Sequence, residues 1–278
     1  MLGLFGSLNL GARSLSTQQL GIEVAGHNLA NVSNAAYARQ RLTIQTAQPV
    51  PSQLGPQGAG AEGVAILQLR DALLDRQILS ETSAGGYLEA QQQALQYAQA
   101  NLGQQIDSQA TNTDGTQAAS SSQNGLAEGL TSLFNAFQSL STNPTSLAER
   151  QVLLIQAENL TVQFNQVSER LADVESSLNA SLNVNLEDAN RIVADIAKLN
   201  QQISAAEVGG DTANDLRDVR QQRLEELARI ANFTTTEQPS GAVDIYYDGV
   251  AMTDGSAVIE RLESYDPGTG RLLVRTQS

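Results

Sequence analysis

The feature that most constrains the fold of this chain is a helical pattern that continues without a break across residues 146–206. Ser146 and Glu149 form an S-x-x-E capping box, which is a frequent start of an α-helix. The helix that it opens should extend over roughly 60 residues, or about 90 Å at 1.5 Å per residue. A pair of glycines at 209–210 should end it. The sequence therefore predicts a mainly helical fold built around one very long helix.

Apolar residues recur along one face of this helix in steps of three and four from Leu153 to Ile196, which is typical of helices packed in a bundle or coiled coil. Between Leu178 and Leu186 the interval is eight residues instead of seven. We expect the supercoil to unwind or the helix to bend there. The predicted fold class is mainly α: a long antiparallel helical bundle or coiled coil, with a small β region at the C-terminal end.

Changes in composition along the chain suggest four segments. Residues 1–41 hold an N-terminal assembly helix and a polar motif, and residues 42–65 are a Pro/Gly-rich linker with a short strand. Residues 66–231 form the long-helix bundle, interrupted by a polar loop at 107–125. Residues 232–278 contain short strands separated by Asp-Gly turns and have no closing element, so we expect them to be the start of a truncated β domain.

The N-terminal helix carries a narrow apolar stripe with heptad spacing. The stripe consists of Met1, Phe5, Leu8, Ala12, Leu15, Ile22 and Leu29. A stripe this narrow fits a helical partner better than a broad core, so Phe5, Leu8, Leu15, Ile22 and Leu29 are predicted to form an assembly seam. Each glycine in the segment weakens an isolated helix by roughly 1 kcal/mol relative to alanine, so we expect helix only on pairing. The alternative to an assembly seam is that this segment is an ordinary amphipathic helix packed on its own domain.

Composition excludes several classes of function. The chain has a net charge of −14 and no cysteine, which excludes disulfides and a cysteine nucleophile. Its basic residues form no patch for phosphates, so we expect no nucleic-acid partner. No stretch of about 18 apolar residues is present, so we expect no membrane-spanning helix.

No arrangement of residues favours catalysis or a cofactor. His27 is the only histidine, and a surface or packed position is the simplest interpretation. Asp211, Asp215 and Asp218 miss the spacing of a calcium loop and are better explained as acidic residues at a helix start. The Gly-rich segment 58–63 lacks the Lys-Ser/Thr of a phosphate loop. We therefore predict no enzyme activity, no metal and no cofactor.

The stretch GHNLANVSNAAYARQR, residues 26–41, resembles a motif of bacterial flagellar axial proteins, A-x-N-L-A-N-x-x-T-x-G-Y-x-R. The matching positions are Asn28, Leu29, Ala30, Asn31, Tyr37 and Arg39. Asn34 stands where the family usually has Thr, and Ala36 where it has Gly. Since Gly allows a positive φ that Ala disfavours, we expect the turn before Tyr37 to be built differently here.

Within that family the chain is most similar to the hook-associated members. Arg39 and Gln40 followed by RLTIQTA carry this likeness, as do LAERQVLLIQAENLTVQFNQVSERL, NDLRDVRQQRLEELARIANF and GAVDIYYDGVAMTDGSAVI. The resemblance covers nearly the whole chain. The resemblance also implies that the family's C-terminal helix, which pairs with the N-terminal helix, is missing from this sequence. Its absence would explain why the apolar stripe has no partner.

The resemblance implies a structural component of the flagellum that joins hook to filament and self-assembles through its N- and C-terminal helices. It also implies export through the flagellar type III apparatus without a cleaved signal, and hence an extracellular location. The implied partners are other copies of the chain, the hook protein, a second junction protein and an export chaperone. Asn28, Asn31, Tyr37 and Arg39 would set the turn from the seam to the outer domain.

Two alternatives stay open at this point. A hook or distal-rod protein would share the N-terminal motif but is typically richer in β structure. A coiled-coil scaffold unrelated to flagella would share the stripe and the long helix without the motif's context.

Overall fold

The computed structural model describes residues 4–51, 55–102, 126–210 and 212–277, and contains five helices and nine strands within those ranges. The helices are α1 (Leu4–Ala30), α2 (Ala72–Leu102), α3 (Leu126–Thr142), α4 (Leu147–Glu207) and α5 (Asn214–Ile230). The predicted mainly helical class is confirmed. The predicted polar loop at 107–125 and Met1 of the stripe lie outside the described residues.

Helix α4 follows its prediction closely. It has 61 residues, and the N–H of Glu149 donates to Ser146 Oγ at 3.3 Å, as a capping residue requires. Helix α2 is continuous through Gly85 and Gly86, although glycine weakens a helix interior. Among the described residues no helix is both long enough and apolar enough to span a membrane.

The strands lie in two regions of the sequence. The first two are β1 (Gln40–Thr46) and β2 (Ala61–Gln68), and the later ones are β3 (Thr234–Glu237), β4 (Val243–Tyr247), β5 (Val250–Ala251), β6 (Thr253–Asp254), β7 (Ala257–Val258), β8 (Leu262–Tyr265) and β9 (Leu273–Thr276). Strands β3, β4 and β5 form an antiparallel sheet. The predicted Asp-Gly turn joins β4 to β5, with Asp248 and Gly249 at φ values of 48° and 82°.

Most of the segment predicted to be a linker belongs to an antiparallel hairpin. Strands β1 and β2 pair from Gln40↔Gln68 to Thr46↔Ala61, with a shift in register between Thr43 and Ile44. Helix α2 consequently begins at Ala72 and not near Ile66, where the apolar pattern suggested a helix. The sequence of β2 suggested a helix because apolar and polar residues do not alternate strictly along it.

The chain divides into two compact units. One unit comprises the chain up to Gly86, Leu186–Glu263 and the residues from Arg275 onward. Its core is formed by the last third of α4, by α5 and by β4 and neighbouring strands, through Ile196, Ile203, Leu227, Ile245 and Met252. The other unit comprises Tyr87–Asn185 and Ser264–Val274. There α3 packs on α4 so closely that a Cβ at Gly129 would overlap the side chain of Gln163.

Candidate functional site

One side of α1 packs on the β1–β2 hairpin. Thr17 and Val24 are buried there, and Thr17 Oγ1 lies within hydrogen-bond distance of the Ala61 carbonyl, at 3.1 Å. Gly63 of β2 allows the close approach, because a Cβ at that position would lie only 3.2 Å from Leu42 Cδ1 and 3.3 Å from Leu20 Cδ2. The helix is therefore held by small residues and short contacts on this side.

The opposite side of α1 is apolar and exposed. We call it the α1 apolar face, and it consists of Phe5, Leu8, Leu15, Ile22 and Leu29. These side chains are between 63% and 84% exposed. A continuous apolar row of this kind is typical of an interaction surface. The structure thus leaves all five predicted seam residues available to a partner, and the seam itself stays a prediction.

Helix α1 ends in a turn built by asparagines. The N–H and the Nδ2 of Asn31 both donate to the His27 carbonyl, at 3.2 and 3.0 Å. The N–H of Ala36 donates to Asn34 Oδ1 at 3.1 Å, which forms an Asx turn. Ala36 has no positive φ. The turn before Tyr37 is thus formed with the side chain of Asn34 and without a positive φ at Ala36.

The side chain of Asn28 connects the helix to the first strand. Its Nδ2 donates to the Gln40 carbonyl at 2.8 Å, and its Oδ1 accepts from the Gln40 N–H at 2.8 Å. Gln40 is buried, so both of its backbone groups need partners. The Asn28 amide provides them as a neighbouring strand would.

Tyr37 also binds the end of α1. Its hydroxyl donates to Asn28 Oδ1 at 2.9 Å and lies 3.0 Å from His27 Nδ1. The two rings meet edge to face, with centroids 5.4 Å apart. Partial burial, together with the negative charges of Asp215 and Asp218, raises the pKa of Tyr37. The phenol is therefore held as a neutral donor.

Two acidic residues at the start of α5, far away in sequence, also bind the segment that leads from α1 into β1. Asp218 Oδ2 accepts from the Ala38 N–H at 3.1 Å, and Asp215 Oδ1 accepts from Gln40 Nε2 at 2.9 Å. The pKa of Asp218 is raised overall, because the effect of burial outweighs the lowering by the Ala38 N–H and the guanidinium of Arg70. Arg70 donates to Asp218 Oδ1 at 2.8 Å.

Strand β2 is tied to the same helix start. Asn214 Nδ2 donates to the Ile66 carbonyl at 2.7 Å, and Gln68 Nε2 donates to the Asn214 carbonyl at 2.6 Å. We call the whole arrangement the joint; it consists of Asn28, Tyr37, Gln40, Asp215 and Asp218 with their partners. It fixes the direction in which the chain leaves α1.

The joint brings together only part of the predicted motif. Asn28, Asn31, Tyr37 and Gln40 take part, and His27, which was interpreted as a surface or packed residue, contacts Tyr37. The side chains of Leu29, Ala30 and Arg39 are exposed, and Arg39 contributes its carbonyl, which accepts from the Leu69 N–H at 2.8 Å. Their predicted roles are not tested by these contacts.

The joint also contains residues that the sequence did not predict to be part of it, namely Gln68, Arg70, Asn214, Asp215 and Asp218. Asp218 lies 148 residues from Arg70 in the chain, and no local spacing predicts such a pair. Asp215 and Asp218 were interpreted as helix-start acids, yet Asp218 is buried. Asp211 lies outside the described residues. Within the described ranges no group of three or more His, Asp or Glu side chains is placed to hold a metal ion.

Comparison with known proteins defines the class. Residues 116–272 match the family model described as the flagellar hook-associated protein FlgK helical domain. Because this match covers more than half of the chain, the chain belongs to that family. Its curated relatives include flagellar hook-associated protein 1 of Bacillus subtilis (strain 168), which is 27% identical over 280 residues, or 98% of this chain and 51% of the relative.

Other matches agree with this one. Flagellar hook-associated protein 1 of Escherichia coli (strain K12) is 26% identical over 255 residues, covering 90% of this chain and 43% of the relative. The chain thus spans about half the length, or less, of the curated relatives it matches. The flagellar hook junction protein FlgK from Burkholderia pseudomallei has a similar fold, with a TM-score of 0.56 and 21% identity over 73% of this chain and 33% of that one.

Proposed function

We propose that this chain is part of a structural protein of the bacterial flagellum that joins the hook to the filament. Family membership supports the proposal, since the relatives are named as hook-associated proteins. Those relatives do not support a hook protein, a distal-rod protein or a non-flagellar scaffold. The role is mechanical and requires no catalytic step.

The observation that carries the proposal is the α1 apolar face. Five large apolar side chains are exposed along a helix of 27 residues, although such residues are normally buried. Burial of a side chain of this type contributes about 1.5–3 kcal/mol. A second helix laid along the face would therefore gain several kcal/mol. We propose that this second helix is the C-terminal helix of the family, in the same or a neighbouring copy.

The joint has a complementary role in this proposal. It holds Gln40 and α5 against the end of α1 by short hydrogen bonds. A subunit docked through α1 would consequently present its remaining structure in one fixed direction. Constant orientation is what a closed ring of identical subunits requires.

The proposed location and partners follow from the same role. The protein would be extracellular, after export through the flagellar type III apparatus without a cleaved signal and with the help of an export chaperone. Other copies of itself would flank it within the ring. The hook protein and a second junction protein would contact it above and below.

The test is a double substitution in the full-length gene of the source bacterium. Leu15→Glu with Ile22→Glu places two charges on the α1 apolar face and should abolish filament assembly, because a buried charge without a partner is costly. Export should be retained, so the variant should accumulate in the medium. Filaments are scored by electron microscopy and secreted protein by immunoblot.

The matched control is Val208→Glu, which adds a charge at a residue that is 86% exposed but outside that face. It should leave filaments normal. Normal filaments in the double variant would contradict the proposed seam. Retention of the wild-type protein in the cytoplasm of flagellated cells would contradict the proposed location and favour a scaffold.

A further inference from the structure

A cleft of about 700 Å³ lies in the unit that contains α5, away from the α1 apolar face. The end of β2, the start of α2, the helix α5 and strands β3 and β4 all contribute to its lining. Among the described residues, its charged side chains are four arginines and two carboxylates: Arg70, Arg76, Arg217, Arg220, Asp75 and Glu237. The lining is thus positive in a chain whose net charge is −14.

Two of the arginines are neutralised within the protein. Arg70 donates to Asp75 at 3.0 Å and also to Asp218. Arg217 donates to Glu207 at 2.8 Å and to Glu237 at 3.1 Å. Both carboxylates of the cleft are therefore already engaged.

The other two arginines have no such partner in the described part of the chain. Arg220 is only 5% exposed, and its NH1 donates to two neutral acceptors, Asn200 Oδ1 at 2.9 Å and the Gly241 carbonyl at 2.7 Å. Arg76 is exposed, and its Nε donates to the Ala72 carbonyl at 3.2 Å. Neither forms an ion pair with a described carboxylate within 4.0 Å.

Arg220 is therefore a buried cation without a contacting anion. Burial, and next the positive charge of Arg217, lower its pKa to about 10, which still leaves it charged at neutral pH. Glu207 and Glu237 act on it only from a distance, and both are bound to Arg217. A buried charge is costly unless it is paired, and a planar guanidinium matches the geometry of carboxylates and phosphates.

The geometry points to a binding site for an oxyanion of the carboxylate or phosphate class, held between Arg220 inside the cleft and Arg76 at its edge. Thr235 lies on the same face of β3 as the lining residue Glu237, so its hydroxyl can donate to a remaining oxygen. Gln221 also lines the cleft, and its Nε2, which donates to Glu225 Oε1 at 3.2 Å, has a second hydrogen that can do the same. Such an anion could be free in solution or could be an Asp or Glu side chain of another protein. This site is independent of the seam.

The test titrates the full chain with inorganic phosphate, acetate and a hexaglutamate peptide at constant ionic strength. Binding is measured by calorimetry and by the NMR shifts of the arginine Nε–Hε groups. We expect saturable binding that shifts Arg76 and Arg220. Arg76→Gln removes one charge-assisted hydrogen bond and should weaken binding about tenfold.

Arg229→Gln is the matched control. Arg229 is an exposed arginine of α5, the helix that carries Arg220, and it does not line the cleft. It should change the dissociation constant less than about twofold. Arg220→Lys keeps the charge but loses the planar fork and should also weaken binding where circular dichroism shows a folded chain. The Arg76 variant keeps the test decisive if the Arg220 variant unfolds.

Tighter binding of hexaglutamate than of acetate would assign the site to a protein carboxylate, and tighter binding of phosphate would assign it to a free anion. The absence of saturable binding for all three probes would overturn the inference. So would equal binding by the wild type and Arg76→Gln. Neither result depends on whether the protein assembles into filaments.

Discussion

The α1 apolar face and the joint both include residues of α1, but together they reverse the usual distribution of polar and apolar groups. Phe5 and Ile22 are 84% and 72% exposed, whereas Gln40 and Asp218 are buried. In an independent domain, burial of apolar side chains stabilises the fold. Here hydrogen bonds between buried polar groups fix the end of α1, whereas the exposed apolar side chains would, in the proposed function, serve association. The proposed function therefore assigns stability and assembly to different residues, which mutations can separate.

The largest expected effect on stability comes from Asn28→Leu. This substitution keeps the helix but leaves the buried N–H and carbonyl of Gln40 without partners, and Tyr37 loses its acceptor. The free energy of unfolding should fall by about 2–4 kcal/mol, as two unsatisfied backbone groups imply. Urea denaturation followed by circular dichroism measures it.

Asn9→Leu is the control for that variant, because Asn9 is exposed on the same helix. Its effect should be within about 0.5 kcal/mol. Equal stability of the two variants would show that the joint is not what holds α1.

A smaller effect is expected for Tyr37→Phe, which removes the hydroxyl bonded to Asn28 and His27. The loss should be about 0.5–1.5 kcal/mol near neutral pH. Since the pKa of Tyr37 is raised in the folded protein, the unfolded chain loses the phenolic proton first. This residue therefore lowers the stability as pH rises above its ordinary pKa of about 10.

The phenylalanine variant should lack that alkaline decrease, so its deficit relative to wild type should shrink between about pH 9.5 and 11. Urea denaturation at a series of pH values tests this. Tyr87→Phe, at a tyrosine that is 67% exposed, controls for the loss of a hydroxyl. A deficit for Tyr37→Phe that grows with pH would argue against a neutral phenol in the joint.

The smallest effect on stability is expected for Ile22→Ser on the α1 apolar face. Ile22 is 72% exposed, and Ile and Ser have similar helix propensities, so unfolding should change by less than about 0.5 kcal/mol. Val24→Ser, two residues away and buried, should cost about 1–3 kcal/mol. If Ile22→Ser destabilises as much as Val24→Ser, the face already has a partner within the chain.

The sequence predicts the long helix well because its signals are local. Ser146 caps it, and the predicted end near residue 206 agrees with the observed end at Glu207. Helix α5 lies at Asn214–Ile230, within the segment 66–231 that the sequence predicts to be a helical bundle. Caps, glycine pairs and apolar spacing all act within a few residues, so reading the chain in order is sufficient for these elements.

Contacts between residues that are distant in sequence could not be predicted in this way. Arg220 is one of four arginines in α5, a pattern that predicts a solvated helix face, yet it is buried against Asn200 and Gly241. The second strand of the hairpin was hidden in a Gly-rich segment, because Gly63 serves the packing of Leu20 and Leu42 and not a turn. In both cases the decisive neighbour is distant in sequence. Periodicity along the chain contains no information about it.

The amide of Asn28 has one more consequence, which concerns unwanted association. Strand β1 pairs with β2 on one side, so the N–H and carbonyl of Gln40 that Asn28 binds lie on the other edge of the strand. Exposed edges invite strands from other molecules and are a route to aggregation. The Asn28 side chain occupies both groups. A chain with an exposed apolar helix face thereby closes one position at which copies could join as a disordered sheet.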